Sequence, residues 1–365
     1  MRHVQRSLRA CFSAAAAAGA SEIGWLLSAS SAHAVHLHPG AHARVQAPPG
    51  SPATLTRAPA EQLVSAECAS APLVLHTPQR MESEVQSGGS VHIHGKLEGS
   101  CAVRARGDIV AAGTLRGAYV DLQSAEGRVD VMKVLEGVSA VRARLGLRCA
   151  RAMGERMALR TEAGELHVGA AFGEVTLEHA AAAAPPPAGA GAHCVHLGGV
   201  HGSARILSAS APVTAVGVTG RLRVSGAPAA CTAQFDSVRG DCSITGVAGS
   251  VEVRVCPPLR LQLRVAAGGG LRVDAGPGGS FEGGVLVAPG PAAGAGEADP
   301  AGRGGSGKIR DGSAITGWWS QEPEGGAEGS AATLTISCSG SASVTVQTYE
   351  EKLAQQQQRP TPVQD

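Results

Sequence analysis

The chain has 365 residues, enough for two ordinary domains, yet its 50 glycines and 21 prolines mean that much of it cannot be packed core. A formal net charge of +1 excludes a whole-molecule electrostatic footprint, so no nucleic-acid partner is expected. There is no Asn, only four Lys stand against 27 Arg, and nine residues are aromatic, so alanine and glycine counts carry a compositional bias and N-glycosylation acceptors are absent.

The first 34 residues hold Arg2, Arg6 and Arg9, then Ser13 and an alanine run, with Glu22 as their sole acid. That pattern predicts an organelle transit peptide over 1–34, mitochondrial by preference and chloroplast as the alternative. Ala14 to Ala18 is too weakly apolar for a secretory leader, although Ala32-His33-Ala34 has the form of a cleavage site. No apolar run reaches the roughly 18 residues that a membrane-spanning helix needs, so no transmembrane segment is expected. Residues 35–90 are predicted as N-terminal strands and a cap. Ala43-Arg44-Val45 and Ala53-Thr54-Leu55, on either side of Pro48-Pro49-Gly50, would cover an open sheet end.

Between 91 and 179 two glycine series run in parallel. Gly99, Gly117, Gly137, Gly154 and Gly173 are spaced by 18, 20, 17 and 19, and Gly107, Gly127, Gly146 and Gly164 by 20, 19 and 18. A shared period with a fixed offset predicts a coil with two corners. Between the corners apolar residues alternate with polar ones, as in Val103-Arg104-Ala105-Arg106, Val120-Asp121-Leu122-Gln123 and Val141-Arg142-Ala143-Arg144. Strands this short need backbone partners above and below, so the pattern predicts an all-β, single-stranded β-solenoid, β-helix or β-roll in type, with coils about 4.8 Å apart and short terminal strands as caps. Aligned by their corner glycines, Arg104, Asp121 and Arg142 read as one outward salt-bridged ladder.

Residues 180–192 are an Ala/Pro spacer with neither period. The pattern resumes over 193–265, where Gly202, Gly220 and Gly240 are each followed four residues later by Ile206, Val224 and Ile244. Residues 266–331 are glycine-rich and loose, with Trp318-Trp319 as an anchor for the terminal strands. Residues 332–349 are predicted as a terminal hairpin, Thr333 to Cys338 pairing with Ser343 to Thr348 through Ser339-Gly340, and 350–365 as a tail. The nine cysteines (Cys11, Cys68, Cys101, Cys149, Cys194, Cys231, Cys242, Cys256 and Cys338) form no C-x-x-C pair and read as reduced core residues.

Coils such as Gly173-Glu174-Val175-Thr176-Leu177 and Gly249-Ser250-Val251-Glu252-Val253, and the leader Val45-Gln46-Ala47-Pro48-Pro49-Gly50, resemble the putative adhesin domain family. This domain of unknown function occurs in many bacterial proteins and in small eukaryotic orphan proteins. The resemblance covers roughly residues 40 to 350. It implies a β-solenoid or β-roll and brings no catalytic residues with it.

Several residue sets invite a chemical reading. Arg106-Gly107-Asp108 and Arg239-Gly240-Asp241 are R-G-D triplets, but both glycines belong to the corners, so solvated turns are the preferred reading. His92 with His94, and His193, Cys194, His196 and His201, have ligand chemistry without the spacing of a fixed metal site, and strand alternation sends His193 and His196 to opposite faces. Residues 101–160 carry ten Arg and one Lys against six acids, a local excess read as a solvated face. A polysaccharide lyase or hydrolase would need clustered carboxylates, whereas acids here alternate with bases. The expectation is a non-enzymatic adhesin-like scaffold or protein-interaction module, with a protein partner and with no catalytic, cofactor or metal residues. The alternative is a glycan-binding or polysaccharide-active β-helix protein.

Overall fold

Every described element is a β-strand. The computed structural model describes residues 26–40, 44–46, 53–58, 63–68, 73–180, 193–256, 260–268, 271–274, 280–287, 307–309, 313–320 and 332–346. The chain divides into two units, Met1–Leu159 and Arg160–Asp365. Apart from the strands that close their ends, both are β-solenoids built from parallel coils.

In the first unit one turn of coil runs through Cys101–Ala105 and Ile109–Ala111 into Leu115–Ser124, which bends at Gly117 onto the next layer. The cause is visible in the burial pattern. Val85, Val103, Leu122 and Val141 stand in register on one face, Val91, Ile109 and Val129 on a second, and Leu97, Leu115 and Leu135 on a third. All ten are at most 1% exposed. Burying each such side chain contributes on the order of 1.5–3 kcal/mol, and no strand could bury its row without the coil above and below.

The coil therefore has three corners where glycine spacing predicted two. The third is marked by two consecutive residues that break the inward alternation: Met132-Lys133 in the first unit, Gly169-Ala170 and Gly198-Gly199 in the second. In the early coils Gly95 and Gly113 also sit there, and a Cβ on Gly113 would strike the Gly95 carbonyl. Glycine in the Gly99, Gly117, Gly137 column is compulsory for the same reason, since a Cβ on each would fall on the carbonyl one layer away.

The ladder expected from Arg104, Asp121 and Arg142 is corrected by the register. Arg104 stands opposite Gln123, and Gln123 opposite Arg142. Asp121 instead aligns with Ala102 and Ala140 and is 5% exposed. Between Arg116 and Tyr119 a bulge adds one residue relative to the next coil, so counting from Gly117 slips by one.

In the second unit Glu165–His179 and Cys194–Ser208 remain in register along their length, so the spacer joins two consecutive coils without shifting them. Residues 181–192 themselves lie outside the described residues. The columns continue as Leu177, Ile206, Val224 and Ile244, and as Ala171, Val200, Val218 and Phe235.

The terminal strands depart from the expected hairpin. Ala332–Cys338 pairs in parallel with Cys242–Val247 on one side and Arg260–Ala267 on the other, while Ala342–Val346 pairs with Val251–Val255 and Leu271–Asp274. Ser339-Gly340 turns a coil corner and does not reverse the chain. The segment is thus a complete coil wedged between two earlier ones. Outside it, Ser313–Ser320 runs antiparallel to both Arg260–Ala267 and Ser280–Val287. The backbone of Trp318 and Trp319 lies in this closing strand.

The first unit is closed in the same manner. Leu26–Ser31 lies parallel between Leu63–Cys68 and Glu82–Ser87, and Val35–Gly40 between Leu73–Pro78 and Val91–Ile93. Ala53–Ala58 and Arg44–Gln46 then run antiparallel along the outer edge. Residues 26–34, read from sequence as the end of a leader, therefore belong to a coil, with Ala29 buried. Among the described residues no helix is long and apolar enough to cross a membrane.

Candidate functional site

The corner column of the second unit opens a groove. Gly202 and Gly220 stack without side chains, leaving a trough of about 630 Å³ walled by His201, Ser203, Thr219, Arg221 and Arg239, with Gly240 at its rim. Ser203 and Arg221 are register partners on adjacent coils. Gly240 has a φ of +71°, and its missing Cβ is the space beside the Arg221 guanidinium, which a side chain would approach to 2.8 Å.

One wall is fixed by a short network. Thr219 Oγ1 donates its single proton to the Val200 carbonyl at 2.8 Å, so the contact of 3.0 Å to His201 Nδ1 requires the imidazole to be the donor. That puts a proton on Nδ1. Phe172, the register partner of His201, stacks on the ring at 4.7 Å.

Charge in the groove is one-sided. Some arginines elsewhere are matched to acids: Arg106 to Glu126 at 3.0 Å, Arg116 to Glu136 at 2.7 Å, Arg254 to Glu252 at 3.2 Å. Among the described residues no ion pair engages Arg221 or Arg239, and no carboxylate lines the trough. Two guanidiniums with hydroxyls beside them suit a ligand carrying oxyanions such as carboxylate, sulfate or phosphate. Acid hydrolysis of a glycosidic bond needs two facing carboxylates, which this groove does not supply.

No family model and no curated protein matches this sequence. Among solved structures the chain is similar to a putative cell adhesion protein from Clostridium sporogenes, at 6% identity over 89% of this chain and 94% of that one, with a TM-score of 0.15. A score that low carries no argument about fold or role.

The structure disperses the histidine and cysteine set that followed the spacer. His193 meets His179 edge to face and accepts from the Gly164 amide at 3.3 Å. His196 stacks on His167 at 4.7 Å, and His201 is in the groove wall. The three histidines therefore face three different surroundings. His92 and His94 do share a face, and there they meet His36 and His38, two residues that sequence spacing alone could not bring to them.

The two R-G-D triplets separate. In the first, Arg106 is bound by Glu126, and Asp108 Oδ1 accepts from the Arg128 amide at 2.7 Å, so the triplet is a braced corner. In the second, Arg239 and Gly240 line the groove. Cys101, Cys149, Cys194, Cys231, Cys242, Cys256 and Cys338 are in no disulfide. Burial pushes the Cys101, Cys149 and Cys231 thiols up to about 12, which keeps them protonated and poor as nucleophiles.

Proposed function

We propose that this chain is a non-enzymatic, adhesin-like β-solenoid that binds an acidic segment of a protein partner along its second unit. The observation that carries the reading is the groove at Arg221 and Arg239, whose two guanidiniums engage no ion pair among the described residues and whose lining holds no carboxylate. Solenoids bind through extended surfaces of this kind. Arg2, Arg6 and Arg9 with the alanine run support action inside an organelle, the mitochondrion before the chloroplast, with a leader that ends ahead of Leu26.

The same cationic groove supports the second reading, an acidic glycan as ligand. Both are tested with the full chain and its Arg221→Ala/Arg239→Ala variant, captured against an organelle extract and separately titrated with polygalacturonate. A protein recovered by the parent and lost by the variant is the expected result. Polygalacturonate binding that the variant loses would favour the glycan reading. Equal capture by both forms would remove the groove as the site, and unsaturated-product absorbance would overturn the non-enzymatic reading.

A further inference from the structure

Val35–Gly40 is the strand wedged one layer into the first unit, parallel between Leu73–Pro78 and Val91–Ile93. Val35, Leu37, Val91 and Ile93 point inward at 0–1% exposure, which turns His36, His38, His92 and His94 outward. His36 is the register partner of His92, and the amide of His94 continues the ladder by donating to the Leu37 carbonyl at 2.8 Å. Four imidazoles thus meet across a single strand seam. Ring centroids are 4.8 Å apart for His36 and His92 and 4.2 Å for His38 and His94.

One contact crosses the seam head to head, His36 Nδ1 against His94 Nε2 at 3.1 Å. Two neutral rings, or one neutral and one protonated, share a single proton there in a hydrogen bond. With both rings protonated each facing nitrogen carries its own hydrogen, so the bond is lost and two cations meet. The strands that adjoin the seam bring no acid to offset that charge. Leu73–Pro78 sets Val74 beside His36 and a further histidine, His76, in register with His38, and Arg44 stands opposite His76. Ile109–Ala111, beyond Val91–Ile93, sets Val110 beside His92. Glu98, farther along the coil, is already engaged by Arg80 and Lys96. The stacked pair His167 and His196 in the second unit differs, because Glu165 lies 3.5 Å from His167.

We infer that this seam is an acid-released latch: protonation of its imidazoles frees Val35–Gly40 from Val91–Ile93 and opens the first unit at its N-terminal end. Burial, then the charges of His92, His94 and His38, hold the His36 pKa below the ordinary 6.5. Its contribution to stability is therefore whole above about pH 6.5 and is lost as pH falls below that value.

The test is hydrogen exchange, read by mass spectrometry on the full chain between about pH 7.5 and 5.5 and corrected for the intrinsic rate at each pH. Amides of residues 35–40 should lose protection roughly tenfold or more, ahead of those of residues 213–224 in the second unit. That loss should shrink to about threefold or less in His36→Gln/His94→Gln or in His38→Gln/His92→Gln, each with the parent's circular dichroism and urea midpoint at pH 7.5. His179→Ser, which replaces the buried histidine of the second unit, should leave the loss at residues 35–40 unchanged. Protection of residues 35–40 that is independent of pH, or an equal loss in the parent and both double variants, overturns the latch.

Discussion

Val344 stands in parallel register with Val253, although Arg260–Ala267 and Leu271–Asp274 come between them in the chain. The intervening strands lie on the far side of Val344, against Val273, so the late coil occupies a slot between two earlier ones. Val35 stands likewise between Leu73 and Val91. A solenoid normally exposes the backbone of its last coil, and here each unit instead closes on antiparallel strands with a terminal segment wedged one layer in.

Ile336 is 1% exposed in that slot, with Ile244 on one side and Val265 on the other. Ile336→Ala should therefore destabilise the protein by about 2–5 kcal/mol. Urea denaturation measures the loss, and limited proteolysis should cut the segment 260–287 sooner in the variant. A midpoint equal to that of the parent would mean the slot does not hold the stack together.

Leu26–Ser31 is held between two strands, so the proposed leader would have to end ahead of it. A chain beginning at Leu26 should keep the parent's denaturation midpoint, and one beginning at Val35 should lose stability and yield to protease at 63–87. Under the proposed import, N-terminal sequencing of the protein isolated from its host should find a start at or before Leu26.

Two glycines that look alike in sequence should behave differently. Gly137 has a φ of +120° and its Cβ would fall on the Gly117 carbonyl, so Gly137→Ala should cost about 2 kcal/mol or more. Gly199 stands in register with Ala170, and its Cβ would meet nothing nearer than 3.5 Å. Gly199→Ala should stay within about 0.5 kcal/mol of the parent, by the same urea measurement.

His179 takes a place that Ser208 fills one coil on, its Nε2 against the Gly164 carbonyl at 3.1 Å. Burial, seconded by the charge of His193, holds its pKa below the ordinary histidine value of 6.5, and burial lowers His196 in the same way. The folded state thus prefers neutral rings. Stability is full above about pH 6.5 and falls below it, because the unfolded chain takes up protons there first. The urea midpoint should drop between about pH 7.5 and 5, and the drop should shrink in His179→Ser. A midpoint independent of pH would contradict this.

The repeating core was legible in the sequence because inward positions recur at a fixed offset from the corner glycines, as Ile206, Val224 and Ile244 do. The third corner was not, since Met132-Lys133 and Gly198-Gly199 share no residue type and differ from their neighbours only in breaking the alternation. Asp121 was misplaced because the bulge before Tyr119 adds a residue that glycine spacing conceals. The wedged coils and the meeting of His36 with His94 depend on pairings out of chain order, which no local period records. The groove needed Arg221 and Arg239 on adjoining coils, and its signal in sequence was the interval from Gly220 to Gly240.

The wedged coils also fix the order in which the protein can be completed during synthesis. The slot between Val251–Val255 and Leu271–Asp274 stays empty until Ala342–Val346 has left the ribosome, so the two layers that will flank it must wait apart or pair wrongly with each other. Leu26–Ser31 emerges early but has no neighbours until residues 63–87 are made. The middle coils can zip up as they appear, whereas the N-terminal strand waits for its neighbours and the C-terminal coil is inserted last, which makes nascent chains the stage at which unpaired strand edges are most exposed.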